Sequence, residues 1–315
     1  MNDWLLNLAA VDPCPHVPWL SPQGARAAWA AALQPLPALS AFRGNNPGRV
    51  VIVAAGTVFT APIEVVAATL ALGGTAVWKT PAGQPGVAEA VAAADPQGRI
   101  AATDRRNAAD DADTVVVMGS DETVAEIRKS YPNKPVLGFG HKFSIAWMVG
   151  DDWTRLAEDV ALHDGRGCLS PSVVFTPRSD GVERLSDVLA AAQRAWPVGQ
   201  VTPAEGAAIR ARSALARLLG EARKGAGGSV HRLPVSHIDP AALPRAPLLV
   251  QVDSPVAANR ALAAWAPWLS SVATDDSTVR AWPGASRVCA PGQLQRPPIP
   301  RLWDGHRWPD ALSPS

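Results

Sequence analysis

The chain is poor in charge, in cysteine and in long apolar runs, and each scarcity excludes a class of protein. Charged residues make up only 18% of the 315 residues, and 29 Lys and Arg nearly balance 28 Asp and Glu. No basic face for nucleic acid and no acidic tail therefore stand out. Apolar runs break at Gly, Pro or charge before they reach the roughly 18 residues of a membrane span. We expect no nucleic-acid partner and no membrane span.

The three cysteines, Cys14, Cys168 and Cys289, are odd in number and far apart. This pattern argues against a disulfide framework and for a reducing compartment, in which a thiol survives. The N-terminus carries Asp3 and no early Lys or Arg, so it does not resemble a secretory signal. We therefore expect a cytoplasmic protein.

Several familiar motifs are missing as well. No GxSxG elbow and no Walker lysine loop occurs, which removes two common hydrolase and phosphotransfer interpretations. Cys14 and His16 have no second pair of ligands to match them, so we expect no metal site.

The order of apolar segments predicts an α/β protein of two parallel-sheet lobes. Residues 1–47 are helical pieces broken by Pro and are interpreted as an N-terminal cap. In residues 48–141, short β-branched runs alternate with helices of about ten residues, which is typical of right-handed β-α-β crossovers and a Rossmann-like lobe. Residues 142–290 form a second α/β lobe, in which the pattern predicts a helix from Trp153 to His163. Residues 291–315 are a Pro-rich tail that we expect to pack back over a lobe.

Cys168 is the strongest candidate for chemistry, because it lies between Gly167 and Leu169-Ser170-Pro171. A nucleophilic thiol needs an accessible turn and a stabilised thiolate. The nearby glycines let the backbone approach a reacting carbonyl, and the N–H of Cys168 could serve as an oxyanion donor. The alternative is a buried structural cysteine, which is the commoner fate of an unpaired Cys.

Two further features fit a ligand at the edge of the first sheet. Lys79 directly follows an apolar strand, at the carboxyl edge where open α/β folds bind ligands, and its ammonium could meet a ribose hydroxyl or a 2′-phosphate. The alternative is a solvated loop lysine. Gly119 and Ser120 end a strand and open a helix, so backbone N–H groups could bind a phosphate. The following acids, Asp121 and Glu122, would equally cap the helix without a ligand.

Together these segments resemble the aldehyde dehydrogenase superfamily, and within it the LuxC-like acyl-CoA reductases. The matching segments are Val77-Trp78-Lys79-Thr80-Pro81, Gly119-Ser120-Asp121-Glu122-Thr123, Gly138-Phe139-Gly140-His141-Lys142, Ala161 to Pro171 around Cys168, and Gly292-Gln293-Leu294-Gln295. The resemblance covers roughly residues 44–176 and resumes near the end of the chain. It implies an aldehyde dehydrogenase-like fold with one cofactor lobe and one catalytic thiol lobe.

The resemblance also implies roles for individual residues. Cys168 attacks an acyl thioester, and the acyl-enzyme is reduced to an aldehyde with NADPH, held by Lys79 and the Gly119-Ser120 turn. Oxidising relatives carry a water-activating glutamate where this chain has Gly138, so the thioester is expected to escape hydrolysis. Their oxyanion asparagine falls near Thr57, the second candidate catalytic residue.

Two other interpretations stay open from the sequence. One is an aldehyde dehydrogenase, in particular one that uses CoA as the acyl acceptor, since Gly138 argues only against the hydrolytic reaction. The other is a catalytically silent relative that acts as a scaffold subunit. The superfamily commonly forms dimers or tetramers, so the resemblance also allows a homo-oligomer.

Overall fold

A computed structural model describes residues 2–54, 56, 58–81 and 86–312. The chain divides into two compact units. The first contains residues 1–17, 28–141 and 297–315, and the second contains residues 18–27 and 142–296. The helices are α1 Asn2–Ala9, α2 Pro22–Leu33, α3 Ala61–Ala71, α4 Gly86–Ala93, α5 Asp121–Ser130, α6 Trp153–Ala161, α7 Gly181–Ala195, α8 Pro203–Leu219, α9 Pro255–Ala261 and α10 Trp308–Leu312.

The first unit is built on a five-stranded parallel sheet of order β3-β2-β1-β4-β5. Its strands are β1 Arg49–Ala54, β2 Thr75–Lys79, β3 Ile100–Thr103, β4 Thr114–Met118 and β5 Val136–Phe139. Strand β4, which lies between β1 and β5, is buried along its whole length, as expected for a β-branched run covered on both faces. The strand order reverses between β1 and β4. In open α/β sheets such a switch point opens a crevice at the carboxyl edge.

The C-terminal segment of the first unit packs on α3. The Arg301 guanidinium and the Trp308 indole N–H both bond the carboxylate of Glu64, at 2.6 and 2.9 Å. Phe139, the last residue of β5, packs its ring at an angle against the rings of Trp303 and Trp308, with ring centroids 5.5 Å apart in both pairs. These contacts give the buried Glu64 carboxylate charge-assisted partners.

The second unit holds a seven-stranded sheet of order β12-β11-β6-β7-β10-β9-β8, parallel except for the antiparallel β8–β9 hairpin. Its strands are β6 Phe143–Trp147, β7 Pro171–Thr176, β8 Glu221–Gly225, β9 Gly228–Arg232, β10 Leu248–Gln251, β11 Leu269–Thr274 and β12 Arg287–Cys289. Strands β6, β7 and β11 are buried throughout. Two apolar clusters therefore cover the two faces of this sheet. The two parallel sheets confirm the predicted α/β fold class.

The predicted helix from Trp153 to His163 is two residues too long. Helix α6 ends at Ala161, because His163 and Asp164 adopt left-handed backbone conformations with φ of 57° and 54°. Gly165 follows with φ of 75°. A right-handed helix cannot continue through such residues. Among all described residues, no helix combines the length and apolar character needed to cross a bilayer.

Candidate active site

Cys168 lies in an exposed turn directly before β7, at the amino edge of the second sheet. The Ser170 N–H donates to the Gly167 carbonyl at 2.9 Å and closes the turn. The Ser144 hydroxyl, on the neighbouring strand β6, donates to the Cys168 carbonyl at 2.7 Å. The exposed position argues against a buried structural cysteine. Cys289 differs, because burial raises the pKa of its thiol to about 11 and leaves it almost fully protonated at neutral pH.

The segment before Cys168 has an unusual backbone. His163, Asp164 and Gly165 are three consecutive residues with positive φ. For the two residues that carry a Cβ this conformation costs about 1–2 kcal/mol each, so it persists only where surrounding contacts hold it. Burial also lowers the pKa of His163 to about 4, which keeps its ring neutral at pH 7.

A buried ion pair holds this segment. The Arg245 Nε donates to Asp164 Oδ1 at 2.8 Å, and the two side chains are 1% and 2% exposed. The other carboxylate oxygen of Asp164 accepts the Gly199 N–H at 2.9 Å. Arg245 Nη2 donates in addition to the carbonyls of Ala161 and Trp196, at 3.1 and 2.8 Å. Arg166 Nη1 also donates to Asp164 Oδ2 at 3.3 Å, so the buried carboxylate accepts three hydrogen bonds.

Arg166 anchors the next part of the segment. Its Nε donates to Glu205 Oε1 at 2.8 Å, and its Nη2 donates to the Gln200 carbonyl at 2.6 Å. Glu205 also accepts the Thr202 N–H in the capping box that starts α8. The hydrogen bonds from Arg166 lower the pKa of the Glu205 carboxyl. Arg166 thus stabilises the fold around the cysteine.

The closing segment of the second unit approaches the same turn. The Gln295 side-chain amide donates to Ser170 Oγ at 2.7 Å and to the Asp159 carbonyl at 3.1 Å. The Gly292 N–H donates to Asp159 Oδ2 at 2.7 Å. Burial raises the pKa of Asp159 to about 7, against the lowering effect of these backbone hydrogen bonds. From the sequence, Gln295 is only one residue of a segment that matches the family. In the structure it holds Ser170, two positions after Cys168, through a side-chain hydrogen bond.

The carboxyl edge of the first sheet carries Lys79. Its half-buried side chain ends β2, and its ammonium donates to the Thr80 carbonyl at 3.3 Å. Lys79 is in register with Thr103, the last residue of β3, so Arg105 and Arg106 follow at the same edge. These cations, together with the strand-order reversal at β1 and β4, fit a dinucleotide. Thr57, the second candidate catalytic residue, lies outside the described residues.

The polar groups of the Gly119-Ser120 turn form hydrogen bonds with nearby residues of the first unit. Ser120 is the N-cap of α5, and its hydroxyl accepts the Thr123 N–H at 3.2 Å. The Gly119 N–H donates to the Phe139 carbonyl at 3.1 Å. Asp121, in the first helical turn, accepts the His141 N–H at 2.8 Å. The N-cap is thus Ser120, with Asp121 and Glu122 in the first helical turn after it, and phosphate binding at this turn stays a prediction.

Gly138 leaves no room for a side chain. A Cβ at this position would overlap Val124 Cγ1 and lie 3.1 Å from the Arg128 guanidinium, both on α5. Strand β5 packs too closely on α5 to accommodate a glutamate without rearrangement. The absence of a water-activating glutamate at Gly138 is thus also explained by the packing of β5 on α5. Within the described residues, no group of three or more potential metal ligands comes together.

Solved structures with the same fold are aldehyde dehydrogenases. A lactaldehyde dehydrogenase matches with a TM-score of 0.68 and 14% identity over 95% of this chain and 79% of its own. An NAD-dependent benzaldehyde dehydrogenase from Corynebacterium glutamicum matches with a TM-score of 0.67 and 16% identity, over 93% and 82%. A propionaldehyde dehydrogenase from a Clostridium phytofermentans microcompartment matches with a TM-score of 0.64 and 11% identity, over 93% of this chain and 81% of its own. The chain has the aldehyde dehydrogenase fold.

The sequence comparison is more specific. The family described as acyl-CoA reductase (LuxC) matches residues 44–312, and the chain belongs to this family. No curated protein matches the sequence. Family and fold together make the chain an oxidoreductase that acts on acyl-CoA or aldehydes with a nicotinamide cofactor. The resemblance on which the residue assignments rest is confirmed.

Proposed function

We propose that this protein reduces an acyl-CoA, or a related acyl thioester, to an aldehyde through a covalent thioester on Cys168, with NADPH as the reductant. The observation that carries the proposal is the exposed Cys168 in a turn fixed by Ser144 and Gln295. A nucleophile needs both access and a fixed direction of attack, and this turn supplies both.

The proposed chemistry of the chain begins with the Cys168 thiolate. Its sulfur attacks the thioester carbonyl carbon, the bond from that carbon to the sulfur of CoA breaks, and CoA leaves as the thiolate. The backbone N–H of Cys168 and the region of Thr57 are the proposed donors to the oxyanion. When bound, a nicotinamide cofactor would supply the hydride that reduces the acyl carbon, and the bond from that carbon to the Cys168 sulfur then breaks to release the aldehyde and the thiolate.

Reduction is favoured over hydrolysis because the acids that contact the cysteine segment are engaged. Asp164 is paired with Arg245, and Glu205 with Arg166. For Glu205, the hydrogen bonds that lower the pKa of its carboxyl also make it a weaker general base. Asp159 is fully buried. With no space for a side chain at Gly138, none of these positions offers a carboxylate that could activate water.

NADPH is proposed over NADH because of the charge at the carboxyl edge of the first sheet. Dinucleotide folds recognise the ribose 2′-hydroxyl with an acidic residue and the 2′-phosphate with a cation. Here β2 ends in Lys79, and β3 is followed by Asp104 and then by Arg105 and Arg106, so that cations outnumber the acid at this edge. Gly119, Ser120 and Gly138 lie at or near the carboxyl ends of β4 and β5 and are further candidates for cofactor binding. Their proposed contribution is through backbone groups.

The test is acylation of the cysteine without cofactor. The protein is incubated with octanoyl-CoA or tetradecanoyl-CoA, and mass spectrometry locates the adduct. We expect acylation of Cys168, none in Cys168→Ala, and an unchanged adduct in the matched control Cys14→Ala. Wild-type protein that stays unmodified, or Cys168→Ala that still forms aldehyde with NADPH, would refute the proposal.

The CoA-dependent aldehyde dehydrogenase runs the same chemistry in the opposite direction. Supplying aldehyde and NADP with either CoA or water, and following the absorbance of the reduced nicotinamide, separates the two directions. Turnover with water alone would contradict the argument that the acids around Cys168 are engaged.

A further inference from the structure

We infer that Arg245 is a positioning residue for the nucleophile: its guanidinium holds the segment before Cys168 in the geometry that acylation needs. The inference rests on the proposed function, because it assumes that Cys168 is the residue acylated. Arg245 lies in the loop before β10, and β10 is the neighbour of β7 in the sheet. It therefore comes from a part of the chain remote from Cys168 in sequence.

The first argument is that both the side chain and the backbone of Arg245 contact this segment, although its buried Nη1 has no hydrogen-bond partner among the described residues. Its side chain bonds the Asp164 carboxylate and the carbonyls of Ala161 and Trp196. Its own backbone N–H donates to the Asp164 carbonyl at 2.9 Å, and its carbonyl accepts the Ser229 N–H at 2.9 Å. Both ends of the Asp164 residue, backbone and carboxylate, are thus fixed to one arginine.

The second argument is where these contacts fall. Three of these five bonds fall on the segment from Ala161, the last residue of α6, to Asp164, in the run of positive φ. A local left-handed backbone relaxes unless its surroundings determine it. The turn that follows has its own support from Ser144. Loss of Arg245 should therefore release the approach to Cys168 and leave strand β7 in place.

The third argument is the shape of the group. The Asp164 carboxylate and the two carbonyls contact different nitrogens of one planar guanidinium, with Nε serving the carboxylate and Nη2 the carbonyls. A lysine keeps the charge but has one compact ammonium, so it cannot reproduce this fork. Charge and geometry can therefore be separated by experiment.

The experiment compares Arg245→Lys with a matched control, Arg212→Lys, in the full-length protein. Arg212 is also buried, and its guanidinium bonds the carbonyls of Ala246, Asp239 and Ala241. Ala246 follows Arg245 in the chain, but none of these three residues belongs to the segment before Cys168. Both variants lose a buried fork, so both should lose thermal stability, but only one loses the proposed positioning.

Three readouts are taken: the rate of Cys168 acylation by octanoyl-CoA over a concentration series, hydrogen exchange of residues 163–170, and alkylation of Cys168 by iodoacetamide. In Arg245→Lys we expect the maximal acylation rate to fall about tenfold to a hundredfold, with a nearly unchanged half-saturating concentration. Exchange in residues 163–170 should accelerate, whereas alkylation by the small reagent should be almost unaffected. Arg212→Lys should keep the acylation rate and the exchange of this segment.

Equal loss of acylation in both variants, or wild-type acylation and exchange in Arg245→Lys, would overturn the inference. Failure of the proposed function gives a different result, because the wild-type protein would then not be acylated at all. In that case, faster hydrogen exchange of residues 163–170 in Arg245→Lys alone would show that Arg245 fixes this segment. The claim that this fixed geometry serves acylation would nevertheless be overturned.

Discussion

The buried acid Asp159 should make the stability of the second unit depend on pH. Its side chain is 0% exposed, and burial raises its pKa from 3.8 to about 7. Because the folded state binds this proton more tightly than the unfolded state does, the stabilisation is fully present below about pH 4. It is lost as the pH rises through 7. The difference between the two pKa values corresponds to a change of at most about 4 kcal/mol in the free energy of unfolding.

Asp159→Asn tests this reasoning, because an amide has the shape of the protonated carboxyl. Its Oδ1 can still accept the Gly292 N–H, the shorter of the two backbone contacts at 2.7 Å, while its amino group faces the Gln295 N–H, 3.4 Å away in the native carboxyl. We expect the variant to match the wild type near pH 4 and to exceed it near pH 8. For a domain of this size, the difference in Tm at the higher pH should approach about 8–16 °C.

Thermal melts followed by tryptophan fluorescence from about pH 4 to pH 8 provide the measurement. Burial lowers the pKa of His163 and His231 to about 4, so their contributions are present above 6.5 and decline as the pH falls. Subtracting variant from wild type removes these histidine effects. Glu158→Gln, a change at a partly exposed neighbour, should keep the wild-type profile. An Asp159→Asn offset that stays constant across the range would refute the reasoning.

Three further predictions concern the individual candidates. Lys79→Gln should raise the KM for NADPH by about tenfold, through loss of a charge-assisted contact, without raising that for NADH; an equal rise for both would argue against a 2′-phosphate contact. Gly138→Ala should lower stability by about 1–3 kcal/mol through overpacking, and Val124→Ala should restore part of the loss in thermal melts; full stability of the single variant would contradict the packing argument. Iodoacetamide near pH 8 should modify Cys168 at least about ten times faster than the buried Cys289, and peptide mapping that shows equal rates would count against the exposed-thiol assignment.

The strands could be predicted from the sequence because local composition decides them. The runs Arg49–Ala54 and Thr114–Met118 are short, β-branched and bounded by turn residues, and both are strands with these bounds. The β8–β9 hairpin was missed, because Glu221–Gly225 is a charged edge strand without an apolar pattern. The end of α6 was also missed, since the residues that stop it are polar and their conformation is set by a distant partner.

That distant partner explains why the site could be only half predicted. Gly167 and Cys168 are adjacent, and local sequence sufficed to single them out. The pairing of Asp164 with Arg245 spans 81 positions, and nothing in the local pattern around Arg245 indicates it. Gln295 was part of a matching pattern, but its bond to Ser170 spans 125 positions. Contacts between residues so far apart in the chain follow from the fold and cannot be inferred from the periodicity of apolar residues.

The contacts also change how the polar residues before Cys168 are interpreted. A charged segment beside a thiol suggests that its charges tune the thiolate. Here the negative charge of Asp164 is paired with Arg245 and with Arg166, and Arg166 is paired in addition with Glu205. Opposite charges at such short separation largely cancel at the distance of a neighbouring side chain. What the segment contributes to Cys168 is therefore position, and the reactivity of the sulfur should respond to loss of geometry in Arg245→Lys more than to loss of either charge.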